Sequence, residues 1–415
     1  MGLDIMTVAP LGDKKNSAFF DEYRLKIYQR RRDSGLEELL GPMRGLVVQV
    51  EHGDALPYLT ELYRMSPYRF DCARQNETHR MFFLSSAPEQ PRLILLEPLS
   101  MAYEDDITRF NMLYPRARPK ANARYVGELF QTADLAETRK VLQAHEIRFH
   151  QPEDEANAFF ANAHFAFSYP SDFTGNRVGY TAIDLNDIEA IGAGRPIPLG
   201  EAERRTLSKV EEQMAETDVP DLVLGPDHMA TRILSGERED AILEFLTMSN
   251  YYFWGAYNIA DMNSSTNVNR NPKVDDEKRS PAKVFTANNT PSFVNSFEGL
   301  PMPTENFVRN FGRRMHHIAY EVADGDHPSG QKNIDYVVGT LRDLGVPFLA
   351  HVVGACADEP DLKQIFSKHS EYSLLITEYV ERCHGYQGFF TKQNVAALTE
   401  AAGLDERYEH GHVFD

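Results

Sequence analysis

The 415-residue chain contains only three cysteines, Cys72, Cys356 and Cys383, with no CxxC spacing among them. An odd, scattered set is a poor disulfide framework, so free thiols and a reducing cytoplasm are the expectation. Long apolar runs are missing: none approaches the roughly 20 residues that span a bilayer. The opening stretch MGLDIMTVAPLGDKK lacks a basic segment followed by an apolar core, so no secretory signal is expected. Met6 stands where a myristoylation motif needs Ser or Thr. Basic residues are in deficit: 43 Lys and Arg face 62 Asp and Glu, a formal charge of -19. Such a balance repels phosphate backbones, so neither nucleic acid nor an anionic membrane is an expected partner. The best basic run, Arg30-Arg31-Arg32, is short and reads as a solvated helix face.

What is present is ordinary for a globular chain: 42% hydrophobic and 25% charged residues, enough to bury a large core. At roughly 100–200 residues per domain, the length suggests two or three domains or two large halves. After a polar extension (residues 1–40, with a helix near Ser17–Arg32), one order of elements recurs. Strand 45–50, helix 54–65 and strands 81–85 and 93–97 form a first unit. Strand 124–130, helix 134–145 and strand-like 159–167 and 178–184 form a second. Residues 200–217 read as a polar helix between halves. A third unit has strand 227–233, helix 237–248 and strands 284–287 and 292–295. A fourth has strand 316–322, helix 333–344 and strand 372–380, followed by a closing helix at 393–402. The fold class is α+β, with a structural repeat seen about four times in element order. The division is 1–40 extension, 41–200 first half, 201–220 linker helix, 221–403 second half and 404–415 tail. Tyr257–Lys283 is a long polar stretch, read as a functional loop and lid candidate.

Chemistry concentrates in the second half. His228 lies on the first strand of the third unit, His317 at the same place in the fourth, and Glu378 in the last strand. Two His and one carboxylate on strands form a facial triad, which suits non-haem Fe(II) and leaves positions for a chelating small-molecule substrate and O2. Strand alternation puts His316 with the apolar Ile318, Tyr320 and Val322, and His317 with Ala319 on the other face. His317 is therefore the expected ligand, with His316 behind it or in the core. Glu378 and Glu381 have opposite parity, and alternation alone does not choose between them. His52, His79, His145, His150 and His164 read as ordinary, which leaves the first half structural or interfacial.

These segments resemble the 4-hydroxyphenylpyruvate dioxygenases and hydroxymandelate synthases of the vicinal-oxygen-chelate superfamily. Asp227-His228-Met229 is similar to the family's first ligand segment. His317-Ile318-Ala319 is similar to its second, and Glu378-Tyr379-Val380-Glu381-Arg382 to its third. Val284–Glu298 and Gly388–Leu398 also match, so the resemblance covers about residues 220–400. It implies four βαβββ modules in two halves, the first metal-free and the second catalytic. It also implies His228, His317 and Glu378 as Fe(II) ligands, which selects Glu378 over Glu381, and a 2-oxo acid substrate. Asn288, Phe297 and Val395 are the implied substrate contacts. Phe390 and Asn394, in the segment that opens the gating helix, are the implied catalytic residues, and Gln387–Val395 is a second lid candidate. The family is often oligomeric, so a homo-oligomer is possible.

The chain departs from the family at three places. Phe297 replaces a pocket Asn, Thr304-Glu305-Asn306 replaces a segment with a pocket Gln, and Val395 replaces a stacking Phe. Each missing contact costs on the order of 1–3 kcal/mol, so a substrate other than 4-hydroxyphenylpyruvate is expected. Two rival readings use the same scaffold. Extradiol cleavage of a catechol needs a further acid–base His, for which His351, His369 and His384 are candidates. A non-catalytic binding protein needs no metal. Arg313 and Arg314 are candidates to attract an anionic substrate, although they read first as surface residues, and Trp254 as core or pocket wall.

Overall fold

A computed structural model describes residues 14–104, 109–151, 153, 157–271, 280–291, 301–349, 351–356, 361–391 and 394. The first half holds β1 (Leu40–Gln49), the helix Ala55–Met65, β2 (Arg69–Gln75), β3 (His79–Ser85) and β4 (Arg92–Pro98). It continues with β5 (Arg124–Thr132), the helix Leu135–Ala144, β6 (Phe165–Phe167), β7 (Arg177–Thr181) and the short β8 (Arg195–Ile197). The second half holds β9 (Val223–Arg232), the helix Arg238–Met248, β10 (Tyr252–Ile259), β11 (Ser264–Arg270) and β12 (Ala282–Ala287). Then come β13 (Arg314–Val322), the helix Asn333–Asp343, β14 (Asp361–Phe366) and β15 (Ile376–Cys383).

Among the described residues, the sheets run β6-β7-β5-β1-β4-β3-β2-β8 and β10-β11-β12-β9-β13-β15-β14. In each, the opening strands of two modules meet antiparallel at the centre (β1 with β5, β9 with β13). Each opening strand also pairs in parallel with the last strand of its own module. A parallel return requires a long crossover, which the module helix provides. In Asn333–Asp343, Ile334, Val337, Val338 and Leu341 recur at helical spacing and are buried, so that helix covers the outer face of its sheet. The halves join through a shared core. A buried ion pair links Lys283 to Glu128 across them, and the Tyr379 hydroxyl donates to the Met65 carbonyl at 2.7 Å.

The inner face of the first sheet is filled by its own side chains, among them Phe159, Phe160, Phe165, Phe167 and Ile191. The second sheet keeps a cleft there. No helix among the described residues is long and apolar enough to cross a membrane.

Several expectations change. Tyr257–Lys283 contains strand: β10 and β11 pair in register from Tyr252↔Arg270 to Ile259↔Ser264. Its asparagines mislead because Asn267 and Asn269 are buried and donate to the carbonyls of Phe285 and Lys283. The strand expected from Tyr372 starts at Ile376, because the Ser370 hydroxyl accepts from the Tyr372 and Ser373 amides and closes a turn. Strand 159–167 shrinks to β6, because the Asn162 side chain turns the chain by accepting from the amides of His164 and Phe165. Arg31 leaves the solvated face: it is 1% exposed, pairs with Glu37 and donates to the carbonyls of Leu246 and Tyr251. Cys356 and Cys383 form a disulfide, so only Cys72 is free. Sequence distance concealed that pair, which folding brings together. Strand 292–295, helix 393–402 apart from Asn394, and site candidates Phe297 and Val395 lie outside the described residues.

Candidate metal centre

Three side chains meet on the inner face of the second sheet. Register places His228 of β9 beside Ala319 of β13, and Ala319 beside Glu378 of β15. The Nε2 atoms of His228 and His317 each stand 3.1 Å from the same Glu378 oxygen, Oε2, and 3.3 Å from one another. All three residues are buried. Donors bound at about 2.1 Å and at right angles lie about 3.0 Å apart, so this triangle has the dimensions of one face of an octahedral site. Neither Glu378 oxygen receives a properly directed hydrogen bond, although both are buried. Such a donor set fits a divalent cation. The opposite parity of Glu381 is used elsewhere: its carboxylate accepts from the amides of Gly325 and Ile334, at the start of the helix Asn333–Asp343.

Each imidazole is held from behind. The Nδ1 of His228 stands 2.6 Å from Asp227 Oδ1, and Asp227 accepts two hydrogen bonds from Arg382, at 2.5 and 3.0 Å. Burial pushes the Asp227 carboxyl up, but Arg382 and His228 outweigh it and hold it well below the usual carboxylate range. Burial likewise opposes charge on His228, yet Glu378 and Asp227 prevail and hold it at about 9. The two imidazoles overcome burial at Glu378 and hold it at about 2. Metal binding at such a donor set competes with protonation of the imidazoles.

His317 is held by His316, Nδ1 to Nδ1 at 2.7 Å. This corrects the parity expectation. The register slips between Met315 and His317, so His316 is the extra residue of a β-bulge. A bulge breaks alternation, and His316 and His317 both line the cleft.

The cleft encloses about 580 Å3, part of it continuous with solvent. Its walls are His316, His317, Arg232, Pro303, Phe366, Phe390 and the hydroxyl residues Ser264, Thr266, Thr286 and Thr304. Of the three candidate ligands only His317 reaches the wall; His228 and Glu378 lie behind it. Phe390 stands on the cleft wall, with its ring edge-to-face with His228 at 5.8 Å. Asn394 is buried and donates to the Leu362 carbonyl at 2.9 Å, which ties the C-terminal segment to β14. Asn288 does not line the cleft. Its amide donates to the Asn263 carbonyl and accepts from the Glu305 amide, so it braces a turn rather than meeting a substrate.

Neither Arg313 nor Arg314 lines the cleft. Arg313 pairs with Glu237, and the buried Arg314 donates to Asn111 and to the Ala123 carbonyl in the first half. His351 and His384 are exposed, His369 lies 3.8 Å from Glu371, and none lines the cleft. Trp254 packs at 5.6 Å from Phe389, as pocket-side core. Sequence reasoning missed Arg232 and Gln364. Gln364 is fully buried with both amide atoms lacking a hydrogen-bond partner, and it shares a strand face with Phe366. A lone Gln at the inward parity of an apolar strand was the available signal.

No family model and no curated protein matches the chain. Solved structures do. A mutant of 4-hydroxymandelate synthase from Streptomyces coelicolor matches with a TM-score of 0.58 at 16% identity, over 88% of this chain and 98% of that one. The fold is that of the vicinal-oxygen-chelate superfamily. A second match is a xylose isomerase-like TIM barrel/4-hydroxyphenylpyruvate dioxygenase fusion protein, with a TM-score of 0.56 at 12% identity. It covers 88% of this chain, which spans about half (53%) of the fusion. The shared fold accounts for the paired modules; within it the opening strands β9 and β13 carry one candidate ligand histidine each at the sheet centre.

Proposed function

We propose that the chain is a non-haem Fe(II)-dependent dioxygenase acting on a small chelating 2-oxo acid. The observation that carries this reading is the meeting of His228, His317 and Glu378 at 3.1–3.3 Å on strands at the centre of one sheet. The shared fold with 4-hydroxymandelate synthase supports it. Fe(II) bound there supplies O2 activation and positions for two substrate oxygens.

The chain's own groups do the rest. Asp227 and His316 fix the imidazole planes, which keeps both Nε2 lone pairs aimed at one point. Phe366 and Phe390 exclude water from the substrate side. In this reading Phe297 and Val395 belong to the remaining wall. The substrate differs from 4-hydroxyphenylpyruvate, because Thr304 and Arg232 stand on a wall where the family's amides are missing. A substrate matched to those amides would leave its own polar groups unpaired.

The test is metal content and O2 uptake of protein loaded with Fe(II) under anaerobic conditions, for wild type, His228→Ala and His317→Ala. The substrates are a panel of 2-oxo acids and catechols. Stoichiometric iron in wild type, its loss in both variants and uptake triggered by a 2-oxo acid are the expected results. Uptake with a catechol alone would favour ring cleavage. Equal metal content in all three proteins would overturn the assignment.

A further inference from the structure

The cleft carries a permanent positive charge that metal binding does not require. Alternation along β9 puts His228, Ala230 and Arg232 on the same face. Strand register extends this row by row. Arg232 lies beside Thr286 of β12, Thr286 opposite Thr266 of β11, and Thr266 opposite Tyr257 of β10. The neighbouring row is apolar: Ala230 beside Val284, and Val284 opposite Val268, all fully buried. His228 begins the row beyond, beside Ala282. Along the sheet a metal corner, a small apolar row packed with Phe389 and Phe390, and a polar band follow in that order. Four strand steps, from His228 to Arg232, separate the corner from the band, about 13 Å between Cα atoms.

The guanidinium of Arg232 is held in place. Its Nη1 donates to the Pro303 carbonyl at 3.1 Å, and it stacks over Phe307 at 4.9 Å. The residue is 9% exposed, yet it lines the cleft with Thr266, Thr286 and Thr304. A cation that cannot lose its proton, set among hydroxyl donors and turned to a ligand cavity, is built for an oxyanion.

We propose that this band is a carboxylate subsite, so that the cleft selects substrates bearing a second carboxylate remote from the chelating head. Arg232 and the Thr266 and Thr286 hydroxyls hold that group, while the body of the substrate lies in the cleft against Phe366 and Phe390. The spacing assigns the two ends to different places: the head at the triad, the distal carboxylate one apolar row away. The position of the head rests on the metal-centre reading; the anion subsite itself does not.

The test is anaerobic calorimetry with metal-loaded protein and two matched pairs of ligands. One pair is 2-oxoadipate against 2-oxohexanoate. The other is para-carboxyphenylpyruvate against para-methylphenylpyruvate. Wild type is expected to bind at least one dicarboxylate about tenfold or more tighter than its neutral partner. Arg232→Met brings each pair to within about twofold, and Arg232→Lys keeps part of the preference because charge survives and the fork does not. Metal content, measured on every variant, separates loss of the subsite from loss of the fold. A wild type with no preference in either pair, or a preference that persists in Arg232→Met, overturns the proposal.

A second arm removes the metal question. Para-toluate, which lacks a chelating head, is titrated into the His228→Ala protein with and without Arg232→Met. Saturable binding that disappears with Arg232 supports the subsite even where the metal reading fails. No binding in His228→Ala protein that remains folded counts against the subsite, whatever the metal content of wild type.

Discussion

Replacing Asp227 with Asn tests whether the relay behind His228 holds the metal corner together. The carboxylate accepts from Arg382 at 2.5 and 3.0 Å and stands 2.6 Å from His228 Nδ1; His228 and Arg382 are buried and the Asp227 side chain is 5% exposed. Asparagine keeps the shape, but one of its two ends becomes a donor that faces either the guanidinium or the imidazole N–H. At least one hydrogen bond to a charged group is lost, about 1.5–3 kcal/mol. Arg382 also loses its counter-charge in a closed environment, and breaking a buried pair costs about 3–5 kcal/mol. These terms overlap, so metal-free protein should lose about 3 kcal/mol in urea unfolding. With the ring orientation loosened, metal affinity should fall about 10–100-fold, read by competition with a chelator. Unchanged affinity in folded Asp227→Asn protein would refute the reasoning, because the relay would then be ornamental to the site.

Glu61 lies on the helix Ala55–Met65 on the side facing the second sheet, where burial pushes it from the ordinary 4.5 to about 7, against a Ser370 hydrogen bond that lowers it. Its folded value is the higher one, so its stabilising share is full below about 4.5 and is lost as pH rises through about 7. Glu61→Gln should flatten that fall by about 1–3 kcal/mol in unfolding midpoints compared at pH 5 and pH 8, and an unaltered pH profile would count against it. The Cys356–Cys383 bond closes a 27-residue separation, so Cys356→Ser should cost about 3.5 kcal/mol in unfolding free energy under non-reducing conditions. Added reductant should then destabilise wild type and leave the variant unchanged. Lys283→Met leaves Glu128 charged and buried between the halves and should cost about 3–5 kcal/mol, whereas the double change with Glu128→Leu should recover most of that loss. A double variant no more stable than Lys283→Met would show that the pair does more than neutralise itself.

Much of the fold was legible because it is written in short-range patterns. Helices such as Asn333–Asp343 announce themselves by spacing, because each buries one face, whereas the central strand β4 announces itself as a short apolar run buried on both faces. Elements failed where side chains compete with the ladder. Ser370 and Asn162 close turns inside apolar runs, and Asn267 and Asn269 are polar residues buried by bonds to neighbouring strands. Neither effect has a period that a sequence can display.

The site divides in the same way. Sequence by itself determined the element order, the acidic surface, the two opening-strand histidines and the carboxylate, because residue type and strand position carry that information. Tertiary structure alone decided the remainder. A one-residue bulge turned His316 toward the cleft, against its parity. Sheet register lined up Arg232, Thr286 and Thr266 from three strands. Folding joined Cys356 to Cys383 and drew Arg314 into the other half. The physical reason is range: alternation and helical spacing act within one element, whereas register, bulges and contacts between halves depend on which strands lie side by side.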